Sequence, residues 1–243
     1  MFGWFRARCP VDPVTRQWID RRWRWLTDEF GVDLMIDSPT ILPTAEHFPD
    51  VYNGSEESVR LLLDRVCGHM HVSPDLVDLK FYSESNRPQF VNENGLAIGG
   101  TAGLFEDGYR CTIHIERSQF DQPMLLVGTI AHELAHVRTI GENRCSADDF
   151  DNELLTDLTV VFHGLGIFLA NAPRHWHSAA TTWPGTDLYK PEYMSLPMYG
   201  YALAMRCWLR EDPMPKWKKH LSSGVRAEFK QAFRFLQESQ RKS

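Results

Sequence analysis

Two histidines and a glutamate in the stretch "TIAHELAHVRTI" have the types and spacing of a metal site. His132 and His136 are four residues apart, so on a helix both imidazoles lie on one face, about one turn apart. Glu133 would project roughly 100° further around the helix, beside an ion rather than onto it. Imidazole is a preferred zinc ligand, and a carboxylate so placed can accept a proton from water. The stretch therefore predicts half of a zinc site together with a general base.

The segment "NELLTD" supplies carboxylates at the same helical spacing. Glu153 and Asp157 are four residues apart and share one helix face. A catalytic zinc site takes three protein ligands and leaves one position open for water. It also uses a neighbouring carboxylate to orient a ligating imidazole. One helical turn that carries both carboxylates fits these two needs.

Together, "HELAH" and "NELLTD" resemble the gluzincin metallopeptidases, the thermolysin-like clan, in which HExxH on one helix precedes ExxxD on the next. The resemblance implies that Zn²⁺ is bound by His132, His136 and Glu153. It implies that Glu133 is the general base and that Asp157 is hydrogen-bonded to His132. Hydrolysis of a peptide bond in a peptide or protein substrate is the activity that follows from the resemblance.

Hydrophobic periodicity predicts the elements that must position these residues. Period-two alternation predicts strands at 76–84 and 109–116, with a glycine-rich hairpin or bulged strand at 95–108. From Asp121 the apolar residues recur at helical spacing. This pattern predicts one helix to about residue 140 and a second long helix over about 149–171.

Helices are also predicted at both ends of the chain. We expect a single α+β domain over 1–243, with a core at about 76–171 and helical extensions at 12–70 and 197–238. A small twisted sheet would pack on the HExxH helix. The gluzincin resemblance, which covers roughly 109–171, makes this fold zincin-like. The intervening segment 173–197 is rich in proline and reads as a loop.

Composition narrows the classes of partner. The 243-residue chain has a formal net charge of −6, so neither nucleic acid nor an anionic membrane is expected as a partner. The five cysteines are widely spaced and form no CxxC pair, which argues against a zinc ribbon or a disulfide framework. No secretory signal is evident, and the longest apolar run, 158–172, is too short to span a bilayer. We therefore expect a cytoplasmic protein.

Other residues compete for the role of third ligand. Glu142 follows His132 by ten positions, where metzincins place their third ligand, but Thr139 stands where that geometry needs glycine. His163 points away from Glu153 on the predicted helix and reads as a core histidine. An acidic run offers either ligands or favourable charges for the start of the second helix; it comprises Asp148, Asp149 and Asp151.

The residue that stabilises the oxyanion is not fixed by the motif. Four side chains downstream are candidates: Tyr199, Tyr201, His175 and His177. The two histidines could instead hold a second metal, although a surface loop is the simpler interpretation. The strand at 109–116 could bind an extended peptide by strand addition.

A second function stays open at this point. A zinc-stabilised binding or regulatory module would keep the metal ligands without turnover. Such a module has no need of Glu133, whereas a hydrolase has. The two hypotheses therefore differ in what they require of one side chain.

Overall fold

A computed structural model describes residues 7–83, 85, 90–91, 97–98, 102–106, 110–172 and 181–240. It is a mixed structure of helices and small sheets and is mostly helical, which confirms the mixed fold class. The chain divides into two compact units. One unit is Pro43–Asp149, and the other comprises the chain up to Leu42 and from Phe150 onward. The single zincin-like domain stays a prediction.

The unit Pro43–Asp149 contains a three-stranded sheet. Strand β1 (Val77–Tyr82) runs parallel to β5 (Arg110–Glu116), and β4 (Ala102–Glu106) pairs with the other edge of β5 in antiparallel register. Two short strands, β2 (Phe90–Val91) and β3 (Ala97–Ile98), form a separate antiparallel pair. The alternating segments of the sequence therefore do form strands, as predicted.

Two helices complete this unit. Helix α3 (Glu56–Met70) begins where Ser55 Oγ accepts a hydrogen bond from the Ser58 N–H at 3.1 Å. Helix α4 (Pro123–His136) carries the HExxH motif and contacts α3 and β4. The sequence predicts a helix that extends to about residue 140. Its α-helical part ends at His136, because the next residues, Val137–Gly141, form a wider π-helical turn. In that turn the Glu142 N–H donates to the carbonyl of Val137, five residues back, at 3.0 Å.

The other unit is built from six α-helices, a short 3-10 helix (Lys216–His220) and one hairpin among its described residues. Helix α1 (Pro13–Phe30) begins at Asp12, whose Oδ1 accepts hydrogen bonds from the N–H groups of Val14 and Thr15, as its sequence predicts. The remaining helices are α2 (Val32–Asp37), α5 (Asn152–Phe162), α6 (Gly166–Asn171), α7 (Leu196–Leu209) and α8 (Ser223–Gln240).

The continuous helix predicted over 149–171 is wrong. Helix α5 ends at Phe162, and α6 begins at Gly166. Gly164 between them has φ +94°, in the left-handed region that favours glycine. A Cβ at Gly164 would lie 2.3 Å from the Pro39 carbonyl oxygen. Close approach of another segment of the same unit thus breaks the helix at this glycine.

The predicted loop 173–197 is partly structured. Residues 173–180, which include His175 and His177, lie outside the described residues. Strands β6 (Thr181–Thr182) and β7 (Tyr189–Lys190) then form a short antiparallel hairpin. No helix within the described ranges is long and apolar enough to cross a membrane.

Candidate metal centre

Three side chains with metal-ligating atoms come together in the structure. One ring nitrogen each of His132 and His136 and a carboxylate oxygen of Glu153 all lie within 4.8 Å of one another. Across the described ranges, no other group of three or more histidine, cysteine, aspartate or glutamate side chains meets this condition. The structure thus brings together the three residues predicted as metal ligands, and their binding of an ion stays a prediction.

This donor set fits Zn²⁺. Two imidazoles and one carboxylate are a ligand set of catalytic zinc sites, which leave a further position open. A tetrahedral ion with bonds of about 2.0–2.1 Å holds its ligand atoms roughly 3.3 Å apart. Donors that already lie within 4.8 Å of one another need only small side-chain movements to reach that geometry. Ca²⁺ and Mg²⁺ prefer oxygen ligands, so they fit this set less well.

Helix α4 presents its two histidines from a largely buried position. His132 is 6% exposed, and its ring centroid lies 4.8 Å from that of His136, with the ring planes at 89°. Ile130, Ala131 and Leu134 on the same helix are fully buried in the core of their unit. The core packing of α4 therefore fixes the backbone from which both imidazoles project.

Glu133 directly follows His132 in the sequence, and it is buried. Its side chain is 7% exposed, which is unusual for a glutamate. The pKa of the Cys111 thiol on β5 is raised to about 12. Burial is the larger cause, and the negative charge of Glu133 adds to it. Burial likewise raises the pKa of Cys67 to about 12. Both thiols therefore keep their protons at neutral pH, and neither belongs to the group of side chains that could hold an ion.

A buried ion pair anchors the start of α5, the helix that carries Glu153. Asp151 is 1% exposed and accepts two hydrogen bonds from Arg22, from Nη2 at 2.6 Å and from Nε at 2.7 Å. The Trp18 indole N–H also donates to Asp151, at 2.5 Å. Asp151 therefore positions the helix from within the core of its unit, and its carboxylate is committed to these donors rather than to a metal.

Asp157 follows Glu153 by one turn and is fully buried. Its Oδ2 accepts a hydrogen bond from the Met194 backbone N–H at 2.9 Å. This contact ties the segment before α7 to α5 and holds the Asp157 carboxylate in one orientation. The hydrogen bond between Asp157 and His132 stays a prediction.

Glu142, the rival third ligand, has other partners. Its Oε1 accepts a hydrogen bond from Arg138, and its Oε2 accepts one from Arg144 Nε at 2.8 Å. It is not a member of the three-residue group that could hold an ion. The structure therefore favours Glu153 over Glu142, in agreement with the sequence prediction.

One of the four candidates for oxyanion stabilisation is committed elsewhere. The Tyr201 hydroxyl donates to Asp20 Oδ1 at 3.0 Å, and burial followed by the charge of Asp20 raises its pKa above the usual range. Tyr201 is thus a structural residue. Tyr199, on the same helix α7, is 2% exposed.

The prediction that the strand at 109–116 binds a peptide by strand addition is wrong. Strand β5 is the central strand of its sheet, with β1 on one side and β4 on the other. Both of its edges are already hydrogen-bonded, so it offers no free edge to an added strand.

Sequence reasoning missed the hairpin Thr181–Lys190. The hairpin brings the buried side chains of Trp183 and Lys190 into the unit that carries Glu153. A signal was present in "TTWPGTDLYK", where the turn dipeptide Pro184–Gly185 lies between strand-forming residues. The proline content of the surrounding segment concealed it.

Comparison of the chain with models of known protein families, with curated proteins and with solved structures finds no match in any of the three.

Proposed function

We propose that this protein is a zinc-dependent hydrolase that cleaves peptide bonds. The observation that carries the proposal is the convergence of donor atoms from His132, His136 and Glu153 within 4.8 Å. Glu133 on the same helix as the histidines supplies a carboxylate that is not needed as a ligand. This combination suits hydrolysis better than purely structural metal binding, which needs no general base.

Bound zinc in such a site supplies a Lewis acid and lowers the pKa of a water molecule in its open position to near 7. The side chains of this chain would perform the proton transfers. Glu133 would accept a proton from the water whose oxygen adds to the scissile carbonyl carbon. When the carbon–nitrogen bond breaks, Glu133 would pass that proton to the leaving nitrogen. The carbonyl oxygen carries negative charge between these two steps and needs a positive or hydrogen-bonding partner.

The surroundings of the ligands support this role. Asp157 is fully buried one turn after Glu153, where a carboxylate can orient a neighbouring imidazole. The pairing of Asp151 with Arg22 and Trp18 fixes the first turn of the same helix. Rigid support of this kind keeps catalytic geometry within the tolerance that hydrolysis requires.

The test starts with the metal. The full chain is purified without added metal, its zinc content is measured, and a peptide library is incubated with it at neutral pH. We expect about one zinc per chain and cleavage that stops with a chelator and returns with added zinc. Protein that binds no zinc contradicts the proposal. Zinc-loaded protein that cleaves nothing favours the binding module instead.

A further inference from the structure

Two buried hydrogen-bond donors lie on one face of the hairpin Thr181–Lys190. Thr181 pairs directly with Lys190 across the two strands. Trp183 follows Thr181 by two residues, so it lies on the same face as Lys190. Trp183 is 3% exposed and Lys190 is 9% exposed, whereas Tyr189 on the opposite face is 58% exposed. The hairpin therefore turns this face, which we call the donor face, into the protein.

The donor face lies at the start of α5. The Trp183 ring packs against Trp18, with centroids 5.7 Å apart, and against Phe150, with centroids 6.5 Å apart. Trp18 in turn donates its hydrogen bond to Asp151, two residues before Glu153. The donor face is therefore next to the helical turn that carries the third metal ligand.

Lys190 has little hydrogen bonding for a buried ammonium. Its Nζ donates to the Pro191 carbonyl oxygen at 3.3 Å and makes no ion pair within 4.0 Å in the described part of the chain. Burial lowers the pKa of Lys190, and the carboxylates of Asp151, Glu192 and Glu153 oppose that shift from longer range. One donated bond leaves most of the capacity of an ammonium group, which has three donors, unused.

Trp183 presents a second unused donor. Its indole Nε1 is buried and has no hydrogen-bond partner among the residues that the structure describes. A buried donor without an acceptor destabilises a fold, because the hydrogen bond it made to water is not replaced. A buried donor without a partner and a buried ammonium with a single hydrogen bond, on one hairpin face, are typical of a site that is completed by a ligand.

We infer that the donor face binds an anionic oxygen of the substrate, with the Lys190 ammonium as its counter-ion and the Trp183 indole N–H as a second donor. The inference rests on the proposed function, because Glu153 then places the reacting group beside this face. The oxygen has two possible sources. It is either the scissile carbonyl oxygen, as it gains charge when water adds, or a carboxylate that the substrate already carries.

A purely structural role explains Lys190 less well. Asp151, the carboxylate whose charge acts most strongly on Lys190, already accepts two hydrogen bonds from Arg22 and one from Trp18. A buried cation that served as a structural partner would be expected to make a close ion pair of this kind. Lys190 is instead held near carboxylates without touching one at ion-pair distance, which suits a charge reserved for a ligand.

Inorganic phosphate, a tetrahedral oxyanion, is the probe for a binding test. Its affinity for the zinc-loaded full chain is measured by calorimetry for wild type, Lys190→Met and Trp183→Phe. Lys219→Met, which removes an exposed lysine of the same unit, is the matched control. We expect phosphate to bind about ten-fold or more weakly to Lys190→Met, several-fold more weakly to Trp183→Phe, and unchanged to Lys219→Met.

Zinc content and thermal unfolding of the same variants separate a ligand-binding role from a structural one. Lys190→Met should keep its zinc and unfold at an unchanged or higher temperature, because methionine removes a buried charge but keeps most of the side-chain volume. Unfolding of this variant, or loss of its zinc, would make Lys190 a structural residue and overturn the inference.

Kinetics on a cleaved peptide distinguish the two sources of the oxygen. A fall in kcat of about 10²–10³ with little change in KM identifies the carbonyl oxygen in the transition state. A rise in KM confined to substrates with a free carboxylate identifies that carboxylate. Wild type that binds no zinc contradicts the proposed function itself. Zinc-loaded wild type that binds no phosphate, or equal phosphate affinity in all variants, overturns only the inference about the donor face.

Discussion

Arg22 binds Asp151 through two parallel hydrogen bonds, from Nη2 to Oδ1 at 2.6 Å and from Nε to Oδ2 at 2.7 Å. The Asp151 side chain is completely buried, and that of Arg22 is mostly buried. The pair joins α1 to the first turn of α5, 129 residues later in the chain. The position of the Glu153 carboxylate therefore depends on a residue near the N-terminus of the protein.

Replacing Arg22 with methionine should weaken both the fold and the metal site. The variant leaves the Asp151 carboxylate buried with the Trp18 indole as its remaining strong donor, and we expect a loss of about 3 kcal/mol in the free energy of unfolding. Zinc affinity should fall about ten-fold or more as α5 loosens. Denaturant unfolding and a zinc competition titration measure the two effects. Arg21→Met, on the exposed face of α1, should change neither.

Glu133→Gln separates catalysis from metal binding. Glutamine has nearly the same shape and is compatible with the helix, so the variant should fold and keep its zinc. Peptide hydrolysis should fall by about two to four orders of magnitude, because the amide cannot accept the proton from water. Zinc analysis and rates of peptide cleavage are compared with wild type. Equal cleavage by the two proteins would remove Glu133 from the mechanism.

Glu153→Ala should strip zinc from the protein, whereas Glu142→Ala should keep it. The first variant removes one of three converging donors, and the second removes only the partner of Arg138 and Arg144. Zinc per chain is measured after dialysis against a weak chelator. The reverse pattern, with loss of zinc in Glu142→Ala alone, would transfer the ligand role to Glu142.

The side chains that converge could be predicted from sequence, because each pair depends on local helical geometry and the resemblance to gluzincins joined the two pairs. The i, i+4 spacing places His132 and His136 on one face of α4, and it does the same for Glu153 and Asp157 on α5. Strand periodicity and N-cap residues likewise depend on a few neighbouring residues. These features are the ones that the structure reproduces, as the N-cap of α1 at Asp12 shows.

Features that depend on distant residues could not be predicted in this way. The break at Gly164 follows from contact with Pro39, more than a hundred residues earlier. The burial of Lys190 and the packing of Trp183 on Trp18 are not visible in the local alternation of the hairpin. The interior position of β5 likewise depends on its pairing with β1 across several intervening elements.

Two histidines at the end of α3 predict how stability depends on pH. Burial lowers the pKa of His69 and of His71 from the ordinary value of 6.5. The unfolded chain therefore binds more protons near pH 6 than the folded protein does, so stability should fall as the pH drops from about 7.5 to about 5.5. His69→Gln should flatten this dependence. Unfolding midpoints at several pH values measure it, and an unchanged slope in the variant would contradict the assignment.

The last prediction concerns the glycine between α5 and α6. Gly164→Ala forces alanine to adopt φ +94° and places its Cβ 2.3 Å from the Pro39 carbonyl oxygen, so we expect a loss of about 2–5 kcal/mol in stability. Gly185→Ala is the matched control, since Gly185 has φ +73° but nothing within 4 Å of the added Cβ. Its loss should be about 1–2 kcal/mol, from the backbone strain alone. Denaturant unfolding of both variants isolates the steric part as the difference between them. Equal losses would show that the approach of Pro39 is not what breaks the helix, and would leave the conformation of Gly164 as the whole cause.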